Sequence, residues 1–282
     1  MTSDVELVQT RYGIVGRADE IELALACLRA HRHLLLEGPV GVGKTVLASA
    51  LARFLGRPLF RVDGDERYTE QKLTGWFDPP LVIRLGYTQS SFIPGPVVRA
   101  MTDSGILFIN ELNRMPESVQ NVLLPALDEG LVVIPMLDTV RASDGFSVIA
   151  TQNPREFVAT THLSEALRDR FEIIRLDYQT FDEEVRIVGL NTGVDDADTL
   201  EEAVAITRAT RSHPLIKRGA SVRAAISMVQ IARALGGRDG VGRAALLALP
   251  TRIEVREDSD VSVEDLIRSI VLDAGDHRAK KG

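Results

Sequence analysis

Short, nearly continuous apolar runs punctuate the first part of the chain: His33 to Glu37 (HLLLE), Pro58 to Asp63 (PLFRVD), Gly105 to Ile109 (GILFI), Phe146 to Ala150 (FSVIA) and Glu172 to Leu176 (EIIRL). Runs of this length without strict alternation predict strands buried on both faces. Between most of them lie stretches of good helix formers, such as Val46 to Leu55 (VLASALARFL). Strands alternating with helices predict an α/β fold, an αβα sandwich around a parallel sheet, in which ligands gather at the carboxyl ends of the strands. From about Phe181 the strand signal stops. Helical stretches follow at Asp182 to Leu190, Thr199 to Ser212, Ser221 to Leu235, Val241 to Leu249 and Ser262 to Asp273, and Ser262 can accept from the first-turn amides of the last. The pattern therefore predicts an α/β core over residues 1–178 and a smaller all-helical domain over residues 179–282.

Two segments break the alternation. Residues between Leu73 and Pro96 interrupt the helix expected between the second and third strands and concentrate aromatic side chains, Trp76, Phe77 and Tyr87, in a chain that is 5% aromatic. For Trp76 two roles stand equal, a contact surface or a staple holding the insertion to the core. A second insertion, Gly130 to Gly145, reads as a hairpin in which Leu131 to Met136 pairs back through Leu137-Asp138. Loops on a rigid scaffold usually carry the contacts that vary between relatives.

Composition narrows the function classes. A chain of 282 residues with 45% hydrophobic and 26% charged residues has room for a substantial core. The net charge of -7 argues against a large nucleic-acid footprint, which needs clustered Lys and Arg to displace counterions. The single cysteine, Cys27, falls in a helical apolar pattern (Ile21, Ala24, Leu25, Leu28), which predicts a small core residue and no internal disulfide. The start, MTSDVELVQT, has neither a basic opening nor an apolar stretch, and no apolar run reaches the roughly 18 residues of a membrane span. The expectation is a cytoplasmic protein without membrane insertion.

The chemistry centres on Gly38-Pro39-Val40-Gly41-Val42-Gly43-Lys44-Thr45, which fills every fixed position of the phosphate-binding pattern between a predicted strand and a predicted helix. Glycines let successive N–H groups face the phosphates, Lys44 reaches the outer phosphates, Thr45 offers a hydroxyl to Mg2+, and the helix beginning at Val46 adds its positive end. ATP and Mg2+ are the expected cofactors. Hydrolysis also needs a group to orient water and positive charge on the transferring phosphoryl group. The third predicted strand ends Ile106-Leu107-Phe108-Ile109-Asn110-Glu111. This resembles the Walker B signature with Asn-Glu in place of Asp-Glu: Glu111 is the candidate that polarises water, and Asn110 stands where an aspartate ordinarily holds a water of Mg2+. An amide there accepts a hydrogen bond but brings no charge, so weaker Mg2+ binding is expected. The fourth strand leads into Thr151-Gln152-Asn153-Pro154, where Asn153 can reach the outer phosphate or the water.

Taken together, these pieces resemble the MoxR family of AAA+ ATPases: Phe92-Ile93-Pro94-Gly95-Pro96, Asn110-Glu111-Leu112-Asn113-Arg114, Thr151-Gln152-Asn153-Pro154, Asp169-Arg170-Phe171 and Gly219-Ala220-Ser221-Val222-Arg223, in order across residues 11 to 273. The resemblance implies an AAA+ core followed by a helical lid, with Gly13 to Arg17 touching the adenine. It implies Asn153 as sensor 1, Arg170 as the finger that reaches a neighbouring subunit's nucleotide, with Arg168 as the alternative, and Arg223 of the lid as sensor 2. It further implies a homo-oligomer, a hexameric ring, that remodels or activates a protein client, often a metalloenzyme, commonly with a von Willebrand factor A domain partner. Two other readings stay open: a DNA-acting motor, and a nucleotide-binding switch with little turnover because of Asn110.

Overall fold

In a computed structural model, which describes residues 2–153 and 163–279, the chain forms two compact units. One comprises residues 1–39 and 43–177, the other residues 40–42 and 178–282. Pro154 of the fourth-strand motif and residues 280–282 lie outside the described residues.

The first unit is built on β1 (His33–Glu37), β2 (Leu59–Asp63), β5 (Ile106–Asn110), β8 (Ser147–Gln152) and β9 (Phe171–Arg175). Two short pairs accompany them: β3 (Gly75–Phe77) with β4 (Phe92–Pro94), and β6 (Leu131–Val133) with β7 (Thr139–Arg141), both antiparallel. The five strands form one parallel sheet in the order β2-β5-β8-β1-β9. All five apolar runs therefore became sheet strands, and the α/β reading holds. β1 is buried along its whole length, and Leu35, Leu107, Ile109, Val148 and Ala150 share a core with helix residues such as Val97, Met101 and Leu123. Non-alternating apolar strands fit because both faces are covered.

The boundaries moved where side chains supplied extra partners. β8 runs two residues past Ala150, so Thr151 and Gln152 sit inside the sheet. The chain start forms a helix, Asp4–Tyr12, that apolar periodicity did not mark. Its capping box does: Ser3 accepts from the Glu6 N–H at 3.2 Å, and the Glu6 carboxylate accepts from the Ser3 N–H at 3.0 Å. In the first insertion, Asp78 caps the short helix Pro79–Leu85. Phe77 packs edge-on against Tyr87 at 5.0 Å and tilted against Phe92 at 5.3 Å. Trp76 is 46% exposed, so Phe77 is the staple. The second insertion is the expected hairpin with shorter strands, pairing Val132 with Val140.

The second unit packs helices Phe181–Thr192, Ala197–Ser212, Val222–Ala234, Val241–Ala248 and Val263–Ala279 around Val204, Ala225, Met228, Ala245 and Ile267. All five predicted helices are present. The reading of this part as purely helical needs one amendment: β10 (Ile216–Arg218) and β11 (Glu254–Val255) form a small antiparallel ribbon. Segments of two or three residues leave no periodicity to read. Ser262 accepts from the Asp265 N–H at 3.1 Å, as its position before the last helix suggested. No helix among the described residues is long and apolar enough to cross a membrane.

His33 opens β1 in a buried setting between Phe146 and Phe171. Val148 N–H donates to its Nδ1 at 3.0 Å, which puts the ring proton on Nε2, 3.1 Å from the Leu127 carbonyl it donates to. Burial lowers the His33 pKa below 6.5. The unfolded chain thus takes up a proton near 6.5 and the folded chain only at lower pH. Stability from this group is complete above that value and is lost as pH falls below it, at up to about 1.4 kcal/mol per pH unit. Urea unfolding between pH 7.5 and 5 should show a decline that flattens in His33→Gln; equal slopes in both proteins would contradict this assignment.

Candidate nucleotide site

The phosphate loop leaves the carboxyl end of β1. Gly41 and Gly43 hold φ at 82° and 93°, which residues with a β-carbon rarely adopt. Gly43 stands at the N-terminus of helix Lys44–Phe54, which has no side-chain cap, so the positive end of the helix faces the loop. Lys44 Nζ folds over the loop, donating to the carbonyls of Gly38 at 2.6 Å and Pro39 at 2.9 Å. Val40, Gly41 and Val42 belong to the second compact unit. Beside the helix start lies an open groove of about 390 Å³ whose walls include Arg11, Tyr12, Thr45, Val46 and Arg53. The segment Gly13 to Arg17 is fixed by Gln9, which donates to the Gly16 carbonyl at 2.7 Å, and by Arg17, which pairs with Glu20 at 2.8 Å and donates to the Asp177 carbonyl.

The strands beside β1 bring the other candidates to the same edge. Asn153 follows β8, the immediate neighbour of β1, and is buried. Asn110 ends β5, the next strand along, and Glu111 follows it. Their polar groups are interlocked. Glu111 N–H donates to Thr151 Oγ1 at 2.8 Å, and Thr151 Oγ1 donates to Asn110 Oδ1 at 3.1 Å. Asn110 Nδ2 donates to Asp63 Oδ1 at 3.0 Å. The hydrogen bond from Arg61, aided by that from Asn110, holds the Asp63 carboxyl below the ordinary carboxylate range, so it is ionised at neutral pH. Glu111 itself sits at φ 57°, a strained left-handed conformation, and its carboxylate accepts from Arg114 at 2.8 Å. Gly64 permits this turn: a β-carbon there would lie 2.1 Å from the Glu111 carbonyl oxygen.

Sequence reasoning missed Asp63, Thr151 and Arg114 as participants, and also Glu37. The buried Glu37 ends β1, accepts from Gln152 and faces Arg175 at 3.4 Å, tying the loop's take-off point to both neighbouring strands. A buried carboxylate immediately before a phosphate loop was visible in the sequence, but its partners come only from sheet order. Thr45 at the start of the loop's helix, and Asn110 and Glu111 at the end of β5, offer oxygen ligands of the kind a hard cation such as Mg2+ takes. Cys27, half-buried, has its thiol raised to about 11, chiefly by burial, and offers no thiolate chemistry.

Arg170 precedes β9 and pairs with Asp128 at 2.5 Å while donating to the Ala166 carbonyl. Arg168 is exposed on the preceding short helix. In the second unit, Arg223 is exposed on the first turn of helix Val222–Ala234. The segment leading to it is anchored by Arg211, which donates to the Ala220 carbonyl at 2.8 Å and pairs with the buried Glu184 at 2.8 Å. Arg211 also stacks 3.8 Å over the Tyr178 ring. Gly219 passes so close that a β-carbon would lie 2.6 Å from Arg211 Cα.

Residues 33–171 match the AAA domain of the dynein-related subfamily, the stretch that carries the phosphate loop and β1, β2, β5 and β8 of the sheet. The chain belongs to the AAA+ proteins. Over 248 residues this AAA+ chain is 31% identical to the uncharacterized protein YeaC of Bacillus subtilis (strain 168), covering 78% of the chain and 74% of YeaC, and the two belong to one family. It is 29% identical to the uncharacterized protein SERP0979 of Staphylococcus epidermidis over 80% of the chain and 87% of that protein. Among solved structures, a candidate ATPase from Cytophaga hutchinsonii superposes with a TM-score of 0.53 at 23% identity, over 95% of this chain and 93% of that one. A RuvB mutant of Thermotoga maritima superposes with a TM-score of 0.56 at 18% identity, over 88% of this chain and 73% of RuvB. These two likenesses establish the AAA+ fold.

Thr151 is fully buried, and its hydroxyl is both the acceptor for the Glu111 amide and a donor to Asn110. Thr151→Val keeps the shape and leaves the part-buried Glu111 N–H and Asn110 Oδ1 without that partner. The expected loss is about 2 kcal/mol in urea unfolding. A loss under about 0.5 kcal/mol would show that the chain of hydrogen bonds does not hold the edge.

Proposed function

We propose that this AAA+ protein is an Mg2+-dependent ATPase that works as a homo-oligomeric ring, hexameric in the MoxR manner, to remodel or activate a client protein. The observation that supports it best is the placement of the phosphate loop, Asn153 and Glu111 on the consecutive strands β1, β8 and β5 of one sheet edge. Lys44 and the helix N-terminus bind and orient the phosphates. Thr45 and the β5 end would hold Mg2+, which when bound neutralises charge between the outer phosphates. Glu111 Oε2 is engaged by Arg114, and the Glu111 carboxylate would orient the attacking water and accept its proton as the water oxygen bonds to the γ-phosphorus and the bond to the bridging oxygen breaks, releasing ADP. Asn153 senses the outer phosphate from the adjacent strand, and Arg223 of the helical unit is the second sensor. The groove bordered by Tyr12 and Val46 is the place for the adenosine, with Gly13 to Arg17 bordering the base.

Arg170 is the proposed finger. Its pairing with Asp128 presets the guanidinium before a neighbour docks. A client-remodelling role, with a von Willebrand factor A domain protein as a candidate partner, rests on the motif resemblance. The net charge of -7 disfavours the reading as a DNA-acting motor.

Glu111→Gln should bind ATP with near-normal affinity and hydrolyse it roughly 100-fold more slowly or worse, as expected when a positioned base is lost. Arg170→Ala should bind nucleotide and fail to hydrolyse it, and mixed rings of the two inactive proteins should recover some phosphate release. No recovery in rings shown to have mixed would exclude a shared site, and an inactive Arg168→Ala beside an Arg170→Ala that hydrolyses ATP normally would move the finger to Arg168.

A further inference from the structure

The motif Gly219-Ala220-Ser221-Val222-Arg223 is fastened to the end of helix Ala197–Ser212 at its second residue. Ala220 is buried, its N–H donates to Thr210 Oγ1 at 2.9 Å, and its carbonyl accepts from Arg211 Nε at 2.8 Å. Gly219 lets the chain come so close, because a β-carbon there would lie 2.6 Å from Arg211 Cα. Ser221 occupies the N-cap place of helix Val222–Ala234 but gives it no side-chain cap. Its side chain lies instead against the tip of the phosphate loop, which falls in the same compact unit: a β-carbon on Gly41 would stand 2.3 Å from Ser221 Cβ and 2.4 Å from its Oγ. Arg223 follows two residues on, in the first turn of that helix.

The arginine that holds Ala220 is itself fixed from other sides. Its Nη1 pairs with the buried Glu184 carboxylate at 2.8 Å, and its guanidinium lies 3.8 Å from the centre of the Tyr178 ring. Nη2 is buried and takes no hydrogen bond among the described residues, a cost that an apolar side chain filling the helical bundle would avoid. Only a planar fork can stack on the ring while one nitrogen meets the carboxylate and another the carbonyl; a lysine ammonium cannot do all three. Glu184 also pairs with Arg208 at 3.0 Å, so that carboxylate keeps a cation whether or not Arg211 is present. Resting on the ATPase reading, we propose that Arg211 is a positioning residue for nucleotide binding: by holding the Ala220 carbonyl it keeps Ser221 seated against the phosphate loop at Gly41 and sets the turn from which Arg223 reaches the phosphates.

The test is a double-mutant cycle of Arg211→Lys and Arg223→Ala, read by calorimetric titration with ADP and MgCl2 well below the unfolding temperature of each protein. Arg211→Lys keeps a cation beside Glu184 and loses the fork. Its Kd for ADP should rise about fivefold and that of Arg223→Ala about tenfold, while the double variant should be no more than about twofold weaker than Arg223→Ala, because the two changes act on one contact. An arginine that serves the bundle alone would lower the unfolding temperature and leave the affinity of the folded protein unchanged. Wild-type affinity in a folded Arg211→Lys or in Arg223→Ala would overturn the proposal, and so would losses that multiply in full in the double variant. Should Arg211→Lys fail to fold, Thr210→Val decides the matter: it removes the acceptor of the Ala220 N–H, leaves the Arg211–Glu184 pair in place, and should weaken ADP binding in the same direction, with unchanged affinity counting against the proposal. Failure of the wild type to bind ADP at all would instead remove the nucleotide reading on which the proposal rests.

Discussion

The level at which β5, β8 and β1 end fixes nearly everything at the site. These strands are hydrogen-bonded neighbours, with Glu37 beside Gln152 and Ile109 beside Ala150, so their carboxyl ends finish within a residue or two of one another. Adjacent parallel strands lie about 4.8 Å apart. The loop that follows Glu37, the asparagine that follows Gln152 and the glutamate that follows Asn110 therefore emerge as a row. A slip of one residue would move Leu107, Ile109, Val148 and Ala150 to the opposite packed face and lose their fit to Val97, Met101 and Leu123, so core packing holds the register.

That edge is polar and only partly buried, and its groups are paired across strands. One chain of hydrogen bonds joins Asp63, Asn110, Thr151 and the amide of Glu111, and another joins Arg175, Glu37 and Gln152. Such networks are rigid when satisfied, and costly to cut at their buried members, here Thr151 and Glu37. Here they hold Glu111 in a left-handed backbone conformation that Gly64 makes possible, with Arg114 fixing the side chain. Strain confined to the residue proposed to activate water, in an otherwise regular sheet end, is the pattern expected of a functional position.

How much of this was legible in the sequence follows from the range of each interaction. Unalternating apolar runs marked the five strands because a strand covered on both faces has no polar side to show, and the phosphate loop was legible because its glycines, lysine and threonine are contiguous. Periodicity also gave the long helices of the second unit. The ribbon of β10 and β11 was missed because segments so short carry no pattern, and the helix Asp4–Tyr12 because its signal is a cap rather than an apolar stripe. At the site, Asn110 stood out as a missing charge, whereas Asp63, 47 residues earlier, did not stand out as its hydrogen-bond partner. Only the placement of β2 beside β5 joins them.

The central claim is that this AAA+ chain hydrolyses ATP at a site completed by a neighbouring subunit. Steady-state phosphate release per subunit, measured with saturating Mg2+ and ATP across a wide range of protein concentration and compared with the oligomer mass at each point, tests it most directly. The account predicts little turnover per subunit where the chain is monomeric and a rise that tracks ring formation. Turnover per subunit that stays constant from monomer to oligomer would contradict the shared site, and background turnover in fully formed rings would contradict the ATPase itself.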